Sequence, residues 1–317
     1  MAASPSGGLK RDSSPIIKVL AVSLIGVVVF GYAAACGYLW AVQPRLIFRP
    51  RAEIIETPAT YGLFYEDVFV EVPAVGGVQR MHAWWVPKDS GNGLTILYLH
   101  GAALNIGANS DNYRQLHGLG FNVFLISYRG FGRSEGGFPT EQSVYEDAAA
   151  GWRYLTAERK IDPRTLLIYG HSLGAAVAID LAVRHPEARG LIVEAAFISM
   201  RAMADTRPQY RIFPIDLILN QDFNSISKVG RIRIPVLYLH GTDDRLVPPS
   251  MSQQLFERTL APKRLVFIDG GGHNNSGRVG GKLYLDAVSS FAAFRLQASS
   301  SSSPLEPYRF ARIGASA

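Results

Sequence analysis

The chain reads Leu166-Leu167-Ile168-Tyr169-Gly170-His171-Ser172-Leu173-Gly174-Ala175-Ala176 near its centre. Four apolar residues typical of a strand precede Gly170, and the run Leu173–Val183 is rich in Ala, Val and Ile, which favours a helix. The order predicts a buried strand, a tight turn and a helix. Ser172 lies in the middle of that turn.

The turn follows the pattern Gly-x-Ser-x-Gly. In a nucleophile elbow the strand reverses so sharply that only glycine fits on either side of the serine, whose hydroxyl is left exposed before a helix N-terminus. The pattern alone is weak because the chain contains 31 glycines in 317 residues. The alternative is a serine in an ordinary strand-to-helix turn. The flanking strand and helix favour the elbow.

Length and composition allow one main domain with extensions. The 317 residues are 48% apolar, with a net charge of +6. Because Lys and Arg are scattered and do not alternate with aromatic residues, we expect no nucleic-acid partner. The single cysteine, Cys36, leaves no partner for an intramolecular disulfide, and the seven histidines are dispersed. We therefore expect neither a metal nor another cofactor.

The N-terminal part predicts a membrane anchor. Residues 1–18 open with small polar residues and predict a disordered start. Residues 19–42 carry no charge, and as a helix they would extend ~36 Å, enough to cross a ~30 Å hydrocarbon layer. Basic residues flank both ends, so the side of the membrane stays open. A signal peptide cleaved after Ala33-Ala34-Ala35 is the alternative, and Cys36 is a candidate for lipidation.

Residues 43–297 predict one domain of the α/β class. Residues 43–50 indicate an amphipathic connector at the membrane surface, and Pro73–Gly77 indicates the turn of an antiparallel hairpin. Later strands come singly between helices, which predicts a mostly parallel sheet with helices on both faces. The predicted strands are Phe64–Val72, Val78–Val86, Thr95–Leu99, Val123–Ser127, Leu166–Tyr169, Leu191–Glu194, Val236–Leu239 and Leu265–Ile268.

Three further segments complete the predicted domain. Glu141–Glu158 is the clearest helix, with Thr140 as its N-cap. Residues 196–233 interrupt the alternation near the carboxyl edge of the sheet and predict a small helical lid, with one crossover helix as the alternative. A last helix, about Lys282–Leu296, precedes a serine-rich tail, residues 298–317, predicted to be disordered.

A serine nucleophile needs a base and a carboxylate that orients it. If the order is Ser, acid, His, three histidines qualify. His185 falls at the far end of the helix after Ser172, and His240 closes a strand. His273 follows the last strand on a glycine-rich loop, and we expect it to be the base. Asp243 and Asp244 both follow the preceding strand, so the residues alone offer two carboxylates.

The oxyanion of a tetrahedral intermediate needs two N–H donors. We predict the backbone N–H groups of Leu173, which opens a helix, and of Ala102, in the small-residue loop after Thr95–Leu99. Asn105 in the same loop is a side-chain donor or, as we favour, a helix cap. The glycine-rich loop Tyr128–Gly136 lacks the ending of a phosphate-binding loop and is expected to wall the pocket.

With these residues in view, the chain resembles the α/β-hydrolase superfamily, and within it the membrane-anchored ABHD-type, serine aminopeptidase-like hydrolases. The resemblance runs from about Gln43 to Phe294. It implies that the acid is Asp244, the third residue after a His-Gly pair. The family's usual Asn after the first His-Gly is Ala102 here, which leaves a backbone donor in place. The motifs are Leu97-Tyr98-Leu99-His100-Gly101, Tyr128-Arg129-Gly130-Phe131-Gly132-Arg133-Ser134, Gly170-His171-Ser172-Leu173-Gly174, His240-Gly241-Thr242-Asp243-Asp244-Arg245-Leu246-Val247-Pro248 and Gly271-Gly272-His273-Asn274.

These observations together predict a membrane-anchored serine hydrolase of the carboxylesterase or thioesterase type. Ser172, His273 and Asp244 form the expected triad, and Leu173 and Ala102 the oxyanion hole. The expected substrate is an acyl ester or thioester, with a lipid or an acylated protein as candidates. A peptidase or amidase on the same triad, and a tethered module without catalysis, are the alternatives; the native substrate and the oligomeric state stay open.

Overall fold

The computed structural model describes residues 15–74 and 76–294. Residues 1–14 and the tail 298–317, both predicted to be disordered, lie outside the described residues. The strands are β1 (Arg49–Pro50), β2 (Glu66–Ala74), β3 (Gly77–Val86), β4 (Thr95–Leu99), β5 (Ala103–Leu104), β6 (Asn122–Ile126), β7 (Leu166–His171), β8 (Gly190–Glu194), β9 (Val236–Gly241) and β10 (Lys263–Ile268). The helices are α1 (Pro15–Ile47), α2 (Ser110–Gly118), α3 (Glu141–Arg153), α4 (Leu173–Arg184), α5 (Met200–Asp205), α6 (Ile215–Ile218), α7 (Pro249–Arg258) and α8 (Ser276–Ala293).

Eight strands form one sheet in the order β10-β9-β8-β7-β4-β6-β3-β2. The hairpin β2–β3 is antiparallel, β3 pairs antiparallel with β6, and the remaining neighbours are parallel. This confirms the predicted mostly parallel sheet, and each strand begins and ends within two residues of its predicted bounds. Parallel strands bring their carboxyl ends to one edge, where the loops that carry Ser172, Asp244 and His273 meet.

Apolar side chains cover the sheet on both faces. On one face α3 and α4 pack through residues such as Val144 and Val177. On the other, α2 and α8 pack through residues such as Leu116 and Val288. The central strands β4 and β7 are buried along their whole length, as expected of a parallel sheet covered on two sides. Thr140 caps α3 as predicted, through a capping box with Ser143.

The N-terminal helix is longer than predicted. α1 runs 33 residues, from Pro15 to Ile47, so residues 15–18 are helical and no separate connector begins at residue 43. After it, β1 pairs in parallel with β5. The prediction of a separate connector is therefore wrong: residues 43–47 continue α1, and Phe48 packs between Phe131 and Phe223. Its position at a membrane surface stays a prediction.

Residues 196–233 contain two short helices, α5 and α6, joined by turns. No single crossover helix runs through the segment. The last helix begins at Ser276, earlier than predicted, with a break at Gly281. α3 ends at Arg153 and the chain continues to Glu158 as a wider π-helical turn.

A buried ion pair ties the loop after β6 to α3. The Arg129 guanidinium donates to Asp147 at 2.5 Å, and the Arg129 backbone N–H donates to the same carboxylate at 2.7 Å. Both side chains are buried. At pH 7.5 we expect Asp147→Ala to lower the free energy of unfolding by roughly 3 kcal/mol, because it leaves buried donors without their acceptor. Glu146 still pairs with Arg129 in this variant. The expected loss of unfolding free energy is therefore at the lower end of the range for broken buried ion pairs.

Urea denaturation in detergent measures this loss. The matched control is Asp286→Ala, which removes an exposed pair with Lys282 and should change the free energy of unfolding by less than about 0.5 kcal/mol. Equal losses in the two variants would contradict the prediction.

Candidate active site

Ser172 sits at a sharp turn between β7 and α4. Its φ of 56° and ψ of −120° lie outside the regions that residues with side chains prefer, and such strain is typical of functional turns. Glycine is required on both sides. A Cβ on Gly170 would lie 2.2 Å from the Gly174 oxygen, and a Cβ on Gly174 would lie 2.1 Å from the Leu99 oxygen.

The structure brings three distant side chains into one hydrogen-bonded chain. His273 Nε2 lies 2.8 Å from Ser172 Oγ, and His273 Nδ1 lies 2.7 Å from Asp244 Oδ2. A carboxylate only accepts hydrogen bonds, so Nδ1 carries the proton and Nε2 is free to accept from the Ser172 hydroxyl. This is the geometry that activates a serine nucleophile.

Asp244, not Asp243, faces His273. Oδ1 of Asp244 accepts from the backbone N–H groups of Leu246 and Val247, at 2.8 and 2.9 Å. Its Oδ2 also lies 3.2 Å from His240 Nε2. Asp243 is exposed to solvent. The turn after β9 therefore aims one of the two adjacent carboxylates at the imidazole.

The electrostatic surroundings keep Asp244 ionised. Burial acts to raise the pKa of Asp244, but hydrogen bonds from His240 and His273 outweigh it and hold the pKa well below its usual range. Burial lowers the pKa of His171, so its ring is neutral. His171 Nε2 lies 2.9 Å from the backbone oxygen of His273. His171 thus holds the main chain of the residue that contacts Ser172.

The loop after β4 lies directly against the serine. A Cβ on Gly101 would be 3.5 Å from the Ser172 Cβ, and Ala102 and Leu173 both line the same cavity as Ser172. The first N–H groups of α4 have no intrahelical acceptor, so the Leu173 N–H is available. Arg49 N donates to the Ala102 oxygen at 2.8 Å, which fixes the loop to the residues that follow α1.

The cap predicted for Asn105 is confirmed. Its Oδ1 accepts from the Gly107 N–H at 3.0 Å, and its amide donates to the backbone oxygens of Arg51 and Glu53 at 3.0 and 2.7 Å. Asn105 therefore ties the loop to the segment after β1 rather than pointing toward Ser172.

A cavity of about 550 Å³ opens in front of Ser172. Its walls come from the C-terminal turns of α1, from the segment 196–219 and from the loop after β9. Most of the lining is apolar, and no Asp or Glu contributes to it among the described residues. The lining includes Leu39, Gln43, Leu46, Ile47, Phe197, Met200, Met203, Tyr210, Ile215, Ile218, Leu219 and Val247, with Arg49 and Arg207.

One prediction about the pocket is wrong. The loop Tyr128–Gly136 does not line the cavity. It folds back instead, because Arg129 pairs with α3 and the Phe131 ring packs against His100. The other two candidate histidines lie elsewhere: His185 stacks on Trp152, and His240 is buried beneath Asp244.

Two supporting residues are missed by sequence reasoning. Glu194 is buried behind the elbow, where its carboxylate accepts from the Tyr169 hydroxyl and from Asn112, and its backbone oxygen accepts from Ser172 N at 2.9 Å. Gln43 of α1 bonds to Ile218 and Asn220. Neither Glu194 nor Gln43 belongs to a recognised motif. In the sequence, each is marked only as a polar residue within or next to an apolar run. The described residues offer no cluster of three or more His, Cys, Asp or Glu that could hold a metal ion.

The chain is similar to known proteins over most of its length. An uncharacterized protein of Mycobacterium tuberculosis is 32% identical over 285 residues, covering 89% of this chain and 96% of the relative. The α/β hydrolase domain-containing protein WAV2 of Arabidopsis thaliana is 31% identical over 281 residues, covering 82% and 89%. The solved Pyrococcus furiosus esterase Pf2001 superposes with a TM-score of 0.64 at 22% identity, over 78% of this chain and 96% of that one.

The likeness to the esterase shows the shared fold. The profile of one family, serine aminopeptidase, S33, matches residues 92–217 and 224–276. These two segments hold the elbow, Asp244 and His273. The chain belongs to the serine aminopeptidase, S33, family of the α/β-hydrolase superfamily.

Proposed function

We propose that this protein is a membrane-anchored serine hydrolase that cleaves carboxylic esters or thioesters. The observation that carries the proposal is the hydrogen-bonded chain from Ser172 through His273 to Asp244 at the mouth of an apolar cavity. Such an apolar cavity suits an acyl chain.

The reaction proceeds in two halves. Ser172 Oγ attacks the acyl carbonyl while His273 Nε2 takes its proton, and the backbone N–H groups of Leu173 and Ala102 hold the oxyanion. His273 then gives the proton to the departing alcohol or thiol, leaving an acyl ester on Ser172. Water, deprotonated by His273, releases the acid and restores the serine. Asp244 holds the imidazole and stabilises its charged form throughout.

The lining of the cavity favours esters over aminopeptidase substrates. A free α-amino group would require an acidic partner near the serine, since a buried cation without one is unfavourable. The described lining contains two arginines and no acidic side chain. An aminoacyl anilide should accordingly be a poorer substrate than an ester with an apolar acyl group.

The long first helix supports the anchoring part of the proposal. Within the described residues, Ile16–Ile47 is the one helix long and apolar enough to cross a bilayer, and its most apolar window is fully exposed. An isolated helix with an apolar side chain on every side is unfavourable in water and stable in lipid.

Labelling with a fluorophosphonate tests the proposal. We expect full-length protein in the membrane fraction to carry one label on Ser172, and we expect Ser172→Ala to carry none. The same variant should lose hydrolysis of a short acyl ester. Ser134→Ala is a matched control, because its hydroxyl donates to the Ser127 oxygen away from the cavity.

Two results would count against the proposal. Folded wild-type protein that takes up no label and hydrolyses no ester would favour a binding module without catalysis. Activity that persists in Ser172→Ala would place the nucleophile elsewhere.

A further inference from the structure

The segment 196–233 is docked on α1. Gln43 of α1 donates to the Ile218 oxygen at 2.5 Å and accepts from the Asn220 N–H at 2.8 Å. The Asn220 amide in turn donates to the Trp40 oxygen at 2.8 Å. Both the amide nitrogen and the amide oxygen of Gln43 therefore hold the end of α6 against α1. Gln43 also lines the cavity.

A second contact lies further toward the N-terminus of α1. The Tyr32 hydroxyl donates to the Ile212 oxygen at 2.6 Å, and the Tyr32 ring stacks on Phe213 with centroids 5.9 Å apart. Residues 207–217, which we name the lid tip, therefore follow α1 back along its axis, away from the sheet.

Because the lid tip contacts Tyr32, the position of Tyr32 along α1 gives the depth that the lid tip would have in a membrane. Tyr32 lies inside the charge-free run of residues 19–42, six residues before Tyr38. At 1.5 Å per residue, Tyr32 is about 9 Å deeper along the helix than Tyr38, which with Trp40 belongs to the residue types that mark a membrane interface. Elements that lie in an interface bury their apolar faces to about 5–10 Å.

The exposed side chains of the lid tip suit that position. Ile212 is 70% exposed and Leu217 is 84% exposed, so two large apolar side chains face outward beside an apolar helix. Arg207 and Arg211 are exposed at the same tip. The lid tip has one acidic residue, Asp216, whose carboxylate pairs with Arg201 at 2.6 Å. The surface combines apolar anchors with cations that attract anionic headgroups.

We propose that the lid tip is a second membrane-contacting element, inserted into the leaflet next to the C-terminal half of α1. The inference rests on the proposed anchoring by α1. The partner is the lipid layer itself, because the apolar surface of the lid tip is continuous with that of α1. Leu39 of α1 and Tyr210 and Ile215 of the lid tip line the cavity. An inserted lid tip therefore places these walls beside the lipid, from which an acyl substrate enters.

Depth-dependent quenching tests the inference on the full-length chain in vesicles. Cys36→Ser provides a background with no other cysteine. A bimane label is placed by Leu217→Cys, by Val28→Cys within α1, and by Leu260→Cys. Leu260 is a matched control because it is 76% exposed but precedes β10, at the opposite edge of the sheet from Ser172.

Brominated phosphatidylcholine should quench the labels at positions 28 and 217 and leave that at position 260 unquenched. Quenching at position 28 with none at position 217 would overturn the inference while leaving the anchor in place. No quenching at position 28 would instead refute the anchor. Disulfide-linked dimers of unlabelled Leu217→Cys, together with no quenching in the labelled protein, would also overturn the inference, since the lid tip would then be an interface between two copies.

A functional comparison adds a second readout. Leu217→Asp should lower the hydrolysis of an ester embedded in vesicles by about tenfold, because a charge weakens insertion, while hydrolysis of a soluble short ester changes less than about twofold. Leu260→Asp should leave both rates unchanged. Equal loss on the two substrates in Leu217→Asp would show a damaged fold or site and would contradict a membrane role.

Discussion

His273→Ala is expected to lower kcat for a short acyl ester by roughly 10⁶-fold. The imidazole is the one base within hydrogen-bond reach of Ser172 Oγ among the described residues, at 2.8 Å. Without it the hydroxyl keeps its proton and the leaving group receives none. Steady-state kinetics with purified protein in detergent measure the loss, and KM should change little because His273 does not line the cavity.

If His273 and Asp244 act in the proposed triad, the effects of substituting them should not add. Asp244→Asn should lower kcat by roughly 10⁴-fold, because an amide presents an N–H to Nδ1 and favours the wrong tautomer. The double variant of His273→Ala and Asp244→Asn should be no slower than His273→Ala alone. His185→Ala is the control and should retain wild-type activity, since His185 packs on Trp152. A tenfold or smaller loss in His273→Ala would assign the base to another group.

Gly174→Ala is expected to destabilise the protein and disrupt the site, because the added methyl group would collide with the main chain. The added methyl would lie 2.1 Å from the Leu99 oxygen and 2.6 Å from the His100 oxygen. Both are main-chain atoms at the end of β4, so neither can rotate away. We expect the free energy of unfolding to fall by at least about 3 kcal/mol. In any folded fraction kcat should fall by roughly 10²-fold or more, because α4 and the Leu173 N–H must shift.

Gly118→Ala is the matched control. Gly118 ends α2, and a Cβ there would meet nothing within 4 Å, so the substitution should be neutral or stabilising by about 0.5 kcal/mol. Thermal unfolding and ester hydrolysis are measured on both variants. If Gly174→Ala melted with the wild type and kept its rate, the close approach of α4 to β4 would not be needed.

Local chemistry determined much of the fold. The apolar run before Gly170 and the glycines around Ser172 specify a strand, a reversal and a helix without reference to the rest of the chain. Thr140 specifies where α3 begins, because an N-cap acts within three residues. The single strands between helices specify a parallel sheet, since a parallel pair needs a crossover. These predictions held because each depends on neighbours in sequence.

The site required more than local rules. The spacing of Asp243 and Asp244 in sequence does not say which carboxylate turns inward; two backbone N–H groups and His240 hold Asp244 in place. The glycine-rich composition of the loop Tyr128–Gly136 suggests a pocket wall. In the structure, the buried ion pair of its Arg129 with Asp147 holds the loop against α3 and outside the cavity lining.

The sequence by itself determined an α/β hydrolase with an elbow serine and a long apolar first helix. Only the tertiary structure decided that this helix continues to Ile47, walls the cavity and holds the segment 212–220 through Gln43 and Tyr32. The physical reason is distance along the chain. Those contacts join residues about 175 to 180 positions apart, and no local preference of either segment encodes its partner.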